Sequence, residues 1–195
     1  MGRSAAANVA VALLSLAAPL ALAVDMEALE KKAVLCAACH GAQGNSTNPA
    51  IPSLAGQPKQ FITTQLVMFR EGNRKDPQMS AIAASMSNAD VNDFGTYFTA
   101  QVPVPPPASN MDPGKVAASQ RLADQYHCVS CHGPALKGLQ HIPRLAGQQS
   151  VYLAAQLRGF KASIRFDMDG NMTSAAQPLT ENDIELLAEY LAALR

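Results

Sequence analysis

Beyond its first two dozen residues, the chain distributes apolar and polar positions with the period of helices. After Thr180-Glu181-Asn182-Asp183, the residues Ile184, Leu187, Leu191 and Leu194 recur at helical spacing and form one apolar face. Runs of alternating β-branched residues, the mark of half-buried strands, are almost absent. The pattern predicts an opening helix over 26–38, a middle helix over 59–69 and a closing helix after Ser87. A second set follows at 115–130, at 151–160 and after Thr180. Both closing helices begin with the Ser/Thr-x-x-Asp/Glu form that caps a helix N-terminus, Ser87-Asn88-Ala89-Asp90 and Thr180-Glu181-Asn182-Asp183. Between the sets, Gln101-Val102-Pro103-Val104-Pro105-Pro106-Pro107 reads as a stiff, extended connector.

The two sets are copies of one unit. Ile51-Pro52-Ser53-Leu54-Ala55-Gly56-Gln57 pairs with Ile142-Pro143-Arg144-Leu145-Ala146-Gly147-Gln148, Gln65-Leu66 with Gln156-Leu157, and Phe69 with Phe160. Asp90 and Tyr97 pair with Asp183 and Tyr190. Internal duplication of a helical unit implies an all-α fold of two tandem domains, here divided near Pro105 into 24–104 and 105–195.

The apolar run from Val9 to Leu22 is not part of either unit. Arg3 before it and Ala21-Leu22-Ala23 at its end give it the form of a secretory signal peptide over 1–23, so the mature chain should begin near Val24 in the periplasm. The run is short for a membrane span. Charge is balanced, 15 basic against 15 acidic side chains, with the lysines scattered, which excludes the basic footprint of a nucleic-acid binder. Trp is absent and aromatics make up only 5%, so two small domains would need a large apolar cofactor to complete their cores.

The chemistry is carried by Cys36-Ala37-Ala38-Cys39-His40 and Cys128-Val129-Ser130-Cys131-His132, which use all four cysteines. Cys-x-x-Cys-His is the attachment signature of c-type haem: two thiols bond the two vinyl groups and the adjacent imidazole falls under the iron. Paired Cys-x-x-Cys units also make zinc sites or thioredoxin-like centres. Zinc does not require His after the second Cys, and a thioredoxin centre needs alternating strands and helices that this chain lacks. Two covalent haem c groups are therefore expected, attached through Cys36, Cys39, Cys128 and Cys131, with His40 and His132 as proximal ligands.

The sixth ligand decides between a closed electron carrier and an open, reactive iron. The first unit has no histidine besides His40, which leaves Met68, Met79 and Met86 as candidates after the motif. Met79, in the loop Asp76-Pro77-Gln78-Met79, and Met172 both stand eight residues before their capping residues Ser87 and Thr180. Met79 and Met172 are thus the expected distal ligands, with Met168 as the competitor in the second unit. Loop carbonyls at Pro52 and Pro143 are placed to accept the proximal imidazole N–H, although each proline could equally serve only to stiffen its loop. His127, expected on the second opening helix, and His141 read as solvated side chains.

On these motifs, together with the two Pro-x-Leu-Ala-Gly-Gln segments and Phe69-Arg70-Glu71-Gly72-Asn73-Arg74, the chain resembles the cytochrome c4 family of di-haem class I cytochromes. The resemblance implies two cytochrome c domains face to face and no substrate chemistry of its own. It implies electron transfer from a cytochrome bc complex to a haem-copper terminal oxidase, in the periplasm and often at the membrane surface. It carries the proximal role onto His40 and His132, the distal role onto Met79 and Met172, and the carbonyl role onto Pro52 and Pro143. The chain departs from the family pattern at 161–170, which lacks the Glu-Gly-Asn-Arg run. Two alternatives stand beside this: the di-haem subunit of a periplasmic dehydrogenase such as a flavocytochrome c sulfide dehydrogenase, and a haem peroxidase or gas sensor.

Overall fold

The computed structural model describes residues 1–2, 25–107 and 110–195. The expected signal peptide, with its apolar run and cleavage motif, lies almost wholly outside the described residues.

Among the described residues nine α-helices follow one another: α1 (Met26–His40), α2 (Lys59–Arg70), α3 (Pro77–Ala83), α4 (Asn88–Thr99), α5 (Pro113–Gln125), α6 (Cys128–His132), α7 (Ser150–Lys161), α8 (Asn171–Ala176) and α9 (Glu181–Ala193). Among the described residues there is no strand, only an isolated bridge between Leu139 and Ile142. Both expected capping boxes form. Ser87 Oγ accepts from Asp90 N and Thr180 Oγ1 from Asp183 N, while each aspartate accepts from the backbone N–H of its capping residue.

The apolar faces of these helices build two separate cores. In the first, Ile62 and Leu66 of α2 pack on Val91, Phe94 and Phe98 of α4 with Ala33 of α1. In the second, Leu153 and Ala154 of α7 pack on Ile184, Leu187 and Leu191 of α9, closed by Ala123 of α5. The connector over 102–107 has no regular structure and lies against both halves. Gly56 receives Pro103 so closely that a Cβ would stand 2.4 Å from the ring, and its duplicate Gly147 receives Pro105. Both glycines have positive φ, +63° and +71°, a conformation that only glycine adopts without strain.

Two local expectations are corrected. The second opening helix is not continuous over 115–130: it stops at Gln125, and His127 stands left-handed at φ 53°, ψ 33° before α6 restarts at Cys128. Ser119, with 0% of its surface exposed, donates to Leu186 O of α9, which fixes the line of α5. The change of direction that brings the Cys-x-x-Cys-His turn to the cavity is then absorbed at one residue, a histidine, a type that tolerates this region better than most. Met79, in turn, lies on a helix and not in a loop. Asp76 caps α3 by accepting from Gln78 N and Met79 N at 3.0 and 2.9 Å, and Pro77 occupies the first helical position.

Candidate haem sites and the cavity between them

Cys36, Cys39 and His40 lie at i, i+3 and i+4 on the last turns of α1, so they share one helix face. Cys128, Cys131 and His132 repeat this on α6. None of the four cysteines is in a disulfide; Cys36 and Cys128 are part-buried and Cys39 and Cys131 exposed. Burial pushes the Cys36 and Cys128 thiols above their ordinary range. Among the described residues no three His, Cys, Asp or Glu side chains are gathered as a metal site.

Both histidines are buried, and each has one ring nitrogen at a backbone carbonyl. His40 Nδ1 is 2.8 Å from Pro52 O, and His132 Nδ1 is 2.8 Å from Pro143 O. A carbonyl only accepts, so Nδ1 carries the proton and Nε2 keeps a free lone pair. Burial holds both imidazoles below the ordinary histidine value, with the proline carbonyl opposing it in each case and Asp76 adding to that opposition at His40. A neutral imidazole with Nε2 free is the form that ligates a metal.

His40 and His132 belong to the lining of one continuous cavity of about 720 Å³ that runs through both halves. Met79 and Met172 line it too, each part-buried against its own core. The methionine backbones are held alike, Met79 N by Asp76 Oδ1 at 2.9 Å and Met172 N by Asp167 Oδ2 at 2.8 Å. Met68, Met86 and Met168 also border the cavity; Met168 is 77% exposed and Met68 is buried within the first half. His127 and His141 are exposed on the rim.

Sequence reasoning missed a pair of arginines. Arg74 and Arg165 stand over the rings of Phe69 and Phe160 at 4.6 and 4.5 Å, equivalent places in the two halves. The shared offset of 91 residues, already visible in Phe69 and Phe160, would have found them. Both reach into the cavity between the halves. Arg74 donates to Gln65, Tyr152 and Gln156 at 2.6, 3.1 and 3.1 Å, and Arg165 donates to Gln156. Burial pushes Arg165 down to about 10, and its Nε is buried without a partner. Burial alone would raise the Tyr152 phenol, but the two guanidiniums outweigh it and hold it low.

Arg74 is half-buried, and Arg165, with Asp167 as a nearby anion, keeps an orphaned Nε–H, so the pair suits an anion in the cavity. Thiols in pairs, imidazoles with a free Nε2, an apolar cavity and these cations together fit a porphyrin bearing vinyl groups, an iron and carboxylates.

A family model described as Cytochrome c matches residues 31–101 and 116–195. Cytochrome c4 of Pseudomonas aeruginosa is 32% identical over 182 residues, covering 87% of this chain and 89% of that protein. A thiosulfate dehydrogenase electron acceptor of Thiomonas intermedia is 35% identical over 173 residues, covering 83% and 79%. Among solved structures, reduced recombinant cytochrome c4 from Pseudomonas stutzeri superposes with a TM-score of 0.79 at 31% identity, covering 88% of this chain and 99% of that one.

Proposed function

This chain belongs to the cytochrome c family, with cytochromes c4 similar to it over most of its length, and from that premise we propose that it is a periplasmic di-haem electron carrier. Haem c, when bound, supplies a one-electron ferric/ferrous couple. Cys36 with Cys39, and Cys128 with Cys131, hold one group each by thioether bonds. His40 and His132 present Nε2 to the iron, oriented by Pro52 and Pro143. Met79 and Met172 would supply a soft thioether to each iron, a ligand that favours the ferrous state more than imidazole does. Arg74 and Arg165 take the carboxylates between the two halves.

The observation that carries this reading is the doubled constellation around a single cavity: each half offers two thiols, a neutral imidazole and a methionine whose backbone is pinned by an aspartate. With His40 and Met79, and His132 and Met172, as ligands, neither iron would have a position for a substrate, and the protein would pass electrons without transforming one. It does so between a cytochrome bc complex and a haem-copper terminal oxidase. The similarity to a thiosulfate dehydrogenase electron acceptor favours a second reading of the donor, in which a periplasmic dehydrogenase reduces the same two centres.

The test is the optical spectrum of the purified, reduced protein with and without carbon monoxide, together with the haem-to-protein ratio. A ratio of two and an unchanged spectrum are expected of a closed carrier. Carbon monoxide binding in the native protein would refute methionine closure and favour a sensor or peroxidase. Rates of reduction by a cytochrome bc complex and by a dehydrogenase then separate the two donors.

A further inference from the structure

The halves are joined by a pair of reciprocal contacts that end on the proximal histidines. Gln148, in the second half, accepts from Ser53 N at 2.8 Å and donates to Ser53 O at 2.8 Å. Gln57, its duplicate in the first half, accepts from Arg144 N at 3.0 Å and donates to Arg144 O at 2.9 Å. Only one orientation of each amide satisfies both contacts, so the assignment of oxygen and nitrogen is not arbitrary. The glutamines are 5% and 3% exposed, so no bulk solvent competes.

Ser53 N–H and Pro52 C=O are the two ends of one peptide group, and Arg144 N–H and Pro143 C=O are the two ends of another. The chain of hydrogen bonds therefore runs from His40 Nδ1–H to Pro52 O, through that peptide to Ser53 N–H, and on to Gln148 Oε1 of the other half. Its mirror runs from His132 through Pro143 and Arg144 N–H to Gln57. A peptide that donates at its nitrogen becomes more negative at its oxygen, so consecutive hydrogen bonds strengthen one another. The stronger acceptor draws the imidazole proton and makes Nε2 a better donor to the iron.

We infer that Gln57 and Gln148 are positioning residues that set the reduction potential of the haem in the opposite half, each through the proximal peptide it clamps. This rests on the two haem sites proposed above. Contact between the halves then does more than hold them together: separating them weakens both proximal ligands at once. A better imidazole donor stabilises ferric iron, so losing the clamp shifts its haem toward ferrous.

The experiment is a potentiometric titration of holo-protein carrying Gln148→Met, Gln57→Met or Gln149→Met, with each haem followed by its hyperfine-shifted proton resonances. Gln149 is the control. Its side chain bridges the same interface, donating to Ser46 O at 2.6 Å, but touches neither proximal peptide. Gln148→Met should raise the ferrous-to-ferric ratio of the first-half haem about threefold at fixed potential, about 28 mV at 59 mV per tenfold for one electron. The second-half haem should stay within error. Gln57→Met should do the converse, and Gln149→Met should move neither. Gln148→Asn, which withdraws the amide by one methylene, should give a smaller shift of the same sign and serves if the methionine variant folds poorly.

Water entering a merely loosened interface would stabilise the charged ferric state and lower the ratio. A fall, an absent shift, or a shift matched by Gln149→Met overturns the inference. Haem content and the carbon monoxide spectrum are read on the same samples, so loss of the haem sites themselves is recognised separately.

Discussion

Gly44 and Phe98 in the first half occupy the places of Leu136 and Leu191 in the second, and alanine at Gly44 exposes that exchange. The Gly44 carbonyl accepts from Leu54 N and Ala55 N, just as Leu136 O accepts from Leu145 N and Ala146 N. A Cβ on Gly44 would lie 2.7 Å from Phe98 Cδ1, 2.9 Å from Cε1 and 3.1 Å from Ala55 N. Carbon atoms prefer about 3.5–4.0 Å, so the ring must retreat by nearly an ångström into a filled core. The backbone stands at φ +80°, which costs an L residue about 1 kcal/mol. Overpacking of this kind adds about 1–3 kcal/mol, for a total of about 2–4 kcal/mol. At about 2–4 °C per kcal/mol for a chain of this size, the melting midpoint of the holo-protein should fall by about 4–16 °C. Phe98→Leu, made together with Gly44→Ala, moves this pair toward the Leu136 and Leu191 pair of the second half and should recover at least about 1 kcal/mol in a double-mutant cycle. Thermal unfolding followed by far-ultraviolet circular dichroism reads both numbers. If Gly44→Ala melts within about 2 °C of the native protein, or if the two changes simply add, the packing argument is wrong.

Met79→Ala should let the reduced first-half iron bind carbon monoxide, and Met172→Ala the second, while covalent haem content stays at two per chain. Met168→Ala, at a position 77% exposed, should leave both irons closed; carbon monoxide binding in that variant, or its failure in Met172→Ala, would reassign the second ligand. Lys32 and the donors of Ser87 hold the Asp90 carboxyl well below its ordinary value of 3.8. A depressed carboxyl stabilises the fold above its unfolded pKa, and that contribution is lost as pH falls toward the folded one. Asp90→Asn should therefore lower the melting midpoint at neutral pH and flatten its decline between about pH 5 and pH 2, as read from melts across that range. An unchanged acid slope would show that the ion pair and cap do not couple to folding.

The helices and their starts were legible because their signals are short-range. Capping boxes at Ser87 and Thr180 span three residues, and an apolar stripe such as Ile184, Leu187 and Leu191 is set by the turn of a single helix. The duplication and the thiol-imidazole motifs were equally local, since i, i+3 and i+4 positions share a face wherever the helix is placed. Asp76-Pro77 is a start signal for α3, but a helix of seven residues leaves little room for the periodic stripe that would make it legible.

Other features had no local signature at all. The break at His127 follows from how α5 is docked on α9, and a side chain fits at Leu136, at the positive φ it shares with Gly44, because Leu191 stands where the first half has Phe98. The arginine pair and the two glutamine clamps join residues 78 to 95 positions apart. By itself, the sequence determined which helices form, that they come in two copies, and which side chains can bind a haem, because those are matters of neighbours along the chain. Only the tertiary structure decided how the copies face each other and what each proximal peptide touches, because burial of the interface is what makes an amide from one half the sole partner for a backbone group of the other.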